Sequence, residues 1–381
     1  VWVKKAQEYL KDSLGENWEN EYYIWDCAAG TGNLLVGLKK PERIFASTID
    51  SNDVVMMKQI VKMEQNTEGE KLKLLEKHIF QFDFLNDDFE KLPDNLQKII
   101  NETPEKLVIF INPPYAEATN AKTIIGTGQH KTGVALKNIY GEKYLKELGQ
   151  AKNELFAQFF IRIYKEIPNC ILASFSTLKY INSANFVKFR DVFKAEFLKG
   201  FICPAKTFDN VTGEFPIGFL IWNTKNKQCF KYVKLTIFNV KYKECGEKKF
   251  YKTQGRETSI QRFWKTFDDN GEKLAVMVNI PPDFQHNAIL AIYQKPRARY
   301  CRTITKENII PFFVYFSVRH TIAHSWINHN DQFLFPNEKW QNDKEFQNDC
   351  FIFALFHRKN RILSQEGINH FIPFSEIELN I

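Results

Sequence analysis

The sequence predicts an α/β protein: a doubly wound sheet of seven strands, five parallel plus an antiparallel hairpin, followed by a basic α+β region. Three observations predict it. Short apolar runs alternate with helix-spaced segments through residue 224, as in a parallel sheet covered on both faces. Only "KTFDNVTGEFP" separates the last two of those runs, too little for a crossover helix, so they should pair antiparallel. Basic residues outnumber acidic ones only beyond residue 225.

The expected strands are Tyr22–Ala29, Ile44–Asp50, His78–Asp83, Leu107–Asn112 and Cys170–Ser176, then Leu198–Ala205 and Ile217–Thr224. Helical segments lie between them, notably "NDVVMMKQIVKMEQ" and "NELFAQFFIRIYKEI", and "NFVKFRDVFKAEF" leads toward the sixth strand. In the second of these, Leu155, Phe159, Ile163 and Ile167 recur at helical spacing. Ala116–Gly149 carries several glycines and little periodicity, and a loop this long inside a domain is usually functional or mobile. Beyond residue 225, "YVKLTIFNVKY" reads as strand, "ETSIQRFWKTF" as helix and "IIPFFVYFSV" as a buried apolar run.

Composition narrows the class. With 381 residues, 44% hydrophobic and 25% charged, the chain has room for two domains and an ordinary soluble makeup. No apolar run approaches the roughly 18 residues of a membrane span, and the N-terminus lacks a signal pattern. The chain opens on Val1 rather than Met, so an upstream segment is expected. The seven cysteines form no C-x-x-C pair, and most sit in apolar runs, which reads as reduced thiols in a cytoplasmic protein. Residues 1–224 carry 28 Lys and Arg against 29 Asp and Glu, whereas residues 225–381 carry 24 against 16. Two domains are therefore expected, 1–224 and 225–381, the second meeting an anionic partner.

The chemistry concentrates at strand ends. "DCAAGTGNLL" follows the first strand and should open a helix, with Gly30 and Gly32 letting a ligand approach the backbone. Leu35 stands where a dinucleotide fingerprint needs its third glycine, and the small residues run Ala28, Gly30, Gly32 behind Asp26. A carboxylate there would repel a pyrophosphate but suits a ligand bearing an ammonium. Asp50 ends the second strand, where an acidic side chain can accept both ribose hydroxyls. Asp83 ends the third, placed to accept an adenine amino hydrogen, with Phe84 beside it to pack on the ring. Asn112 ends the fourth, followed by Pro113, Pro114 and Tyr115. Two consecutive prolines cannot donate ladder hydrogen bonds, so this strand must stop in a rigid extended turn.

Together "DCAAGTGNLL", Asp50, "FDF" at Phe82–Phe84 and "NPPY" at Asn112–Tyr115 resemble the motifs of S-adenosylmethionine-dependent N6-adenine DNA methyltransferases. The cofactor motif precedes N-P-P-Y, which resembles the γ class, and the likeness covers roughly residues 20–224. "ASFSTLKYINSANFVKFRDVF" and "FDNVTGEFPIGFLIWNT" also resemble that family's later strands. The resemblance implies a Rossmann-like methyltransferase sheet and S-adenosyl-L-methionine bound by Asp26, Ala28, Gly30, Gly32, Asp50, Asp83 and Phe84. It implies catalysis by Asn112, Pro113, Pro114 and Tyr115 on a base flipped from double-stranded DNA, without a metal. A restriction–modification setting, with a restriction or specificity partner, follows from the same likeness. The family's upstream Phe-containing segment has no counterpart in "VWVKKAQEYL", which bears on cofactor affinity and not on the fold.

Other readings stay open. N-P-P-Y also serves release-factor glutamine methyltransferases, because a glutamine amide presents the same two hydrogens, and some RNA guanine-N2 enzymes use a close variant. A non-catalytic DNA-binding subunit retaining the fold is a further alternative. "KKFYKTQGR" and "KPRARYCR" mix basic and aromatic residues in a way that suits phosphate contacts. "HTIAH" spaces His320 and His324 as a helical metal pair would be, but no third ligand or intervening Glu accompanies them, so packing histidines are expected.

Overall fold

Apolar runs that need cover on both faces become the middle of one large sheet. The computed structural model describes residues 1–63, 71–114, 138–208, 211, 213–254, 259–278, 280–296, 301–364 and 367–368. Tyr115 and most of the glycine-bearing loop lie outside these residues, as do Arg256 of "KKFYKTQGR" and the middle of "KPRARYCR".

The first unit, Val1–Lys252, holds strands β1 (Tyr23–Asp26), β2 (Ile44–Thr48), β3 (Ile79–Gln81), β4 (Leu107–Ile111) and β5 (Ile171–Thr177). These pair parallel in the order β3-β2-β1-β4-β5. Every residue of β2, β4 and β5 is buried, as a strand covered on both faces requires. Then come β6 (Glu196–Pro204) and β7 (Pro216–Asn223), and β7 lies antiparallel between β5 and β6.

The sheet does not stop at seven. β8 (Tyr232–Phe238) pairs parallel with β6, β9 (Glu244–Tyr251) pairs antiparallel with β8, and the order runs to nine strands. The cause lies in the alternation of "YVKLTIF": Val233, Leu235 and Ile237 are buried while Tyr232 and Lys234 face out. A strand with one apolar face completes a sheet better than it starts a separate domain. The division between units therefore falls at Lys252/Thr253, not at 224/225.

Helices of this unit are α1 (Trp2–Leu14), α2 (Trp18–Glu21), α3 (Ser51–Met63), α4 (Asp94–Glu102), α5 (Ile139–Lys143), α6 (Leu145–Leu148), α7 (Leu155–Glu166), α8 (Lys179–Asn182) and α9 (Val187–Val192). α7 is buried almost all round from Leu155 to Ile163, including Gln158 and Arg162. "NFVKFRDVFKAEF" is only a short helix, because its last residues are already in β6.

The second unit has helices α10 (Ile260–Lys265), α11 (Ile309–Thr321) and α12 (Lys344–Phe356). Its four-stranded sheet runs β12-β10-β11-β13, from β10 (Ala275–Val278), β11 (Ile292–Tyr293), β12 (Cys301–Ile304) and β13 (Asn360–Arg361). A small ribbon, β14 (Leu363–Ser364) with β15 (Gly367–Ile368), follows. The run "IIPFFVYFSV" is helix α11, with Phe312, Phe313 and Phe316 in the core. That helix ends at Thr321, so His324 lies beyond it, and His320 stacks on His357 with centroids 4.4 Å apart. No helix among the described residues is long and apolar enough to cross a membrane. Of the seven free cysteines, Cys229 and Cys245 are exposed and Cys27, Cys170, Cys203 and Cys350 are buried.

Candidate functional site

Strand order reverses at β1, between β2 and β4, and the carboxyl ends there border a cleft of about 450 Å³. Open α/β sheets bind ligands at such a switch point, and this volume suits a nucleoside-sized molecule.

The floor comes from the turn after β1. Asp26 is 1% exposed, and its Oδ1 accepts the Ala28 N–H at 3.0 Å. Burial pushes its carboxyl up to about 7, against the lowering pull of that N–H. Cys27, Ala28 and Gly30 line the cleft, whereas Asp26 and Gly32 are not among its lining residues. Gly32 has φ 86°, and a Cβ there would come within 2.8 Å of the Leu72 side chain, so backbone conformation and space both require glycine. The expected helix after this turn is only a 3-10 turn, Asn33–Leu35, with Val36 already extended. Ligand contact would therefore rest on loop N–H groups and not on a helix dipole.

At the end of β2, Thr48 is buried while Ile49 is 65% exposed, and both line the cleft. Asp50 follows, exposed, and its Oδ1 accepts the Asn52 N–H at 2.8 Å to start α3. At the end of β3, Asp83 Oδ1 accepts the Leu85 N–H at 3.0 Å and its Oδ2 accepts Asn86 Nδ2 at 2.8 Å. Phe84 borders the cleft but is only 2% exposed, with its ring stacked on Phe159 at 5.0 Å. β4 delivers Asn112, exposed, then Pro113, buried, and Pro114, which lines the cleft.

A charged clamp under the β3 exit went unmarked in the sequence. Arg162 of α7 is fully buried and donates to the Phe84 carbonyl, to the Asp87 carbonyl at 2.8 Å and to Glu166 at 2.8 Å. Its guanidinium also lies 3.4 Å from the Tyr140 ring centroid. Burial pushes the Glu166 carboxyl up, but hydrogen bonds from Lys143, Arg162 and Tyr144 hold it below its ordinary range. The same wall receives the chain as it re-enters at Asn138. Ile139 N–H donates to Asn86 Oδ1 at 3.0 Å and Tyr140 N–H to the Leu85 carbonyl at 3.2 Å. Asn138 borders the cleft with its amide fixed by Gln158 at 2.5 Å and by the Gly141 N–H at 2.6 Å. The available signal for these residues was a lone arginine and a glutamine inside an otherwise apolar helical run.

No family model matches the chain, and no curated protein matches it. Among solved structures it is similar to DrdV in complex with DNA, at 16% identity and a TM-score of 0.41 over 64% of this chain and 26% of that one. It is also similar to the type ISP restriction–modification enzyme LlaBIII bound to DNA, at 14% and 0.38 over 65% and 19%. A third likeness is to a putative class I S-adenosylmethionine-dependent methyltransferase from Listeria monocytogenes, at 11% and 0.37 over 62% and 63%. The chain spans about a quarter of the length of the first and a fifth of the second. These likenesses are remote.

Proposed function

We infer that the chain is an S-adenosylmethionine-dependent methyltransferase acting on the exocyclic N6 of an adenine extruded from duplex DNA, as the modification part of a restriction–modification system. One observation carries the reading: the ends of β1, β2, β3 and β4 bring Cys27–Ala28, Thr48–Ile49, Asp83–Phe84 and Pro114 to one cleft, in motif order.

The residues fit the cofactor. Gly30 leaves the floor free of a side chain, Gly32 lets the turn pack against Leu72, exposed Asp50 suits a ribose diol, and exposed Ile49 offers an apolar cover for a purine. Asp83 keeps lone pairs beyond its two internal hydrogen bonds. When bound, the cofactor supplies an electrophilic methyl group, so the chain's task is placement and charge stabilisation. The Asn112 side-chain carbonyl and the Pro113 backbone carbonyl would each accept one N6 hydrogen, aiming the nitrogen lone pair along one direction. The prolines hold those acceptors still. Formation of the nitrogen–methyl bond would be matched by cleavage of the sulfur–methyl bond, whose electron pair stays on sulfur as a neutral thioether. The two carbonyls would stabilise the positive charge on the nitrogen until its surplus proton leaves to solvent. Tyr115, next in the chain, would give the extruded base a stacking face, a role that rests on sequence alone.

Incubation with tritiated cofactor and duplex DNA tests the reading. Label is expected in adenine, and Asn112→Ala is expected to lower its rate by about 100-fold or more with unchanged cofactor affinity. Label in RNA or in a glutamine amide in preference to DNA, or full activity of Asn112→Ala, would overturn it. A calorimetric titration without cofactor binding would instead favour the non-catalytic subunit.

A further inference from the structure

The added strands change where the positive charge lies. Residues 225–252 hold nine lysines and two glutamates, while residues 253–381 hold 15 basic and 14 acidic residues. The basic excess thus belongs to the segment that carries the β8–β9 hairpin, with five lysines and both glutamates in the hairpin itself and four more lysines flanking it, and the second unit is nearly neutral.

Register then sorts these residues by face. Val233 and Leu235 point into the core, with Phe250 opposite Val233. The outer face pairs Tyr232 with Tyr251 and, two residues on, Lys234 with Lys249. Both tyrosines are exposed, 41% and 54%, with ring centroids 5.5 Å apart. The Lys249 ammonium sits 4.8 Å from the Tyr232 ring. Like charges directly opposite each other weaken a strand pair, yet here they are retained, with Glu247 reaching only Lys234 at 2.5 Å. Lysine on a terminal strand also blocks stray strand pairing, but charge of either sign would serve that end. A face with two lysines against one glutamate, Lys249 standing over an exposed ring, carries a net positive charge that serves a polyanion better.

We propose that the outer face of β8–β9, built on Lys234, Lys249, Tyr232 and Tyr251, binds the phosphate backbone of duplex DNA. The choice of duplex DNA as the polyanion rests on the methyltransferase reading, while the surface itself stands on charge and register. β8 runs parallel to β6, which shares the direction of β1 and β4, so surface and cleft belong to one rigid sheet.

The test is fluorescence anisotropy of a labelled DNA duplex of arbitrary sequence with the whole chain across a salt series. The double variant Lys234→Gln, Lys249→Gln is expected to weaken binding by about 10-fold and to flatten the log K against log salt slope by about 2, one phosphate contact per lysine. Cofactor affinity, read by calorimetry on the same variant, is expected to stay unchanged. Loss of the methyltransferase reading would show in that arm for the unaltered chain, separately from the DNA arm. An unchanged salt slope in the variant overturns the proposal, as does stronger binding of the unaltered chain to phosphatidylserine vesicles or single-stranded RNA than to the duplex.

Discussion

Arg162 in the first unit and Arg319 in the second are both fully buried, but their guanidiniums keep different company. Arg162 shares its hydrogen bonds between two backbone carbonyls and the Glu166 carboxylate, whose side chain is 15% exposed. Arg319 donates only to neutral acceptors: Asn287 Oδ1 and the Tyr315 hydroxyl at 2.8 Å, the Pro281 carbonyl at 2.8 Å and the Asp283 carbonyl at 3.1 Å. The first clamp fixes a cleft wall and keeps one foot in solvent. The second ties a dry core together. A buried charge with a counter-ion near water tolerates change better than one embedded among neutral dipoles.

The largest expected effect follows from that contrast. Arg319→Ala strands two buried acceptors, Asn287 Oδ1 and the Tyr315 hydroxyl, and two part-buried carbonyls, and should cost about 3–5 kcal/mol. Amide hydrogen exchange within α11 would report the loss, while cofactor affinity should be unmoved. A normal exchange rate in α11 would show that the neutral network contributes little, and the contrast would fail.

Asp26 sharpens the comparison because its buried carboxyl is hydrogen-bonded by the Ala28 N–H and by no cation among the described residues. Its folded pKa of about 7 lies above the unfolded value of 3.8, so the folded state holds the proton more tightly between those limits. Stability from this group is therefore full below about pH 4 and lost as pH rises to about 7, by roughly 4 kcal/mol. Asp26→Asn should erase this component, and the difference between urea midpoints of variant and parent should grow across that window. A cationic ligand would favour the carboxylate, so binding near neutral pH should release protons, a heat that changes with buffer ionisation enthalpy. Equal proton counts in parent and variant would sink that idea.

Arg162→Ala is expected to cost about 2–3 kcal/mol, less than Arg319→Ala, because Lys143 and Tyr144 still hold Glu166. Its distinguishing effect is on binding: freeing the Phe84 and Asp87 carbonyls should loosen the cleft wall and weaken cofactor affinity. Arg162→Lys should restore the ion pair but not both carbonyl contacts, so stability would recover more than affinity. Parallel recovery of the two would reduce Arg162 to a structural residue.

Much of the cleft side was legible because its signals are local. "INPP" must end a strand wherever it occurs, and the run of polar strand ends follows from alternation alone. What escaped depends on distance in sequence. Arg162 meets Phe84 across 78 residues and Arg319 meets Asn287 across 32, and no local pattern marks either pairing. The β8–β9 hairpin escaped for another reason. Its charge was visible, but a lysine-rich segment with a single apolar face reads as the start of something new until its buried side is known to complete a sheet. Phe84 shows the converse limit: the motif is plain, yet its ring is largely used by Phe159.

The smallest effect is expected in the second unit, beside Arg319. His320 Nε2–H donates to the Leu290 carbonyl at 3.1 Å while the ring stacks on His357, and burial with the neighbouring His357 and Arg319 drives its pKa down to about 4. Its unfolded value is 6.5, so above that pH both states are neutral and the group is silent. Between pH 6.5 and about 4 the unfolded chain gains a proton that the folded one refuses, and stability falls with pH. Partial exposure screens the full shift, leaving about 2 kcal/mol. His320→Phe keeps the ring contacts with Phe316 and His357 and removes the titration. Loss of the Leu290 hydrogen bond should cost about 1 kcal/mol near pH 7, and the gap to the parent should close or reverse near pH 4.5, read as exchange protection in α11. Arg319→Ala should raise the His320 pKa as well, since one positive neighbour is gone, so the acid loss would shrink in that background. If the loss were the same with and without Arg319, the dry core would not be setting the charge of the ring that packs against it.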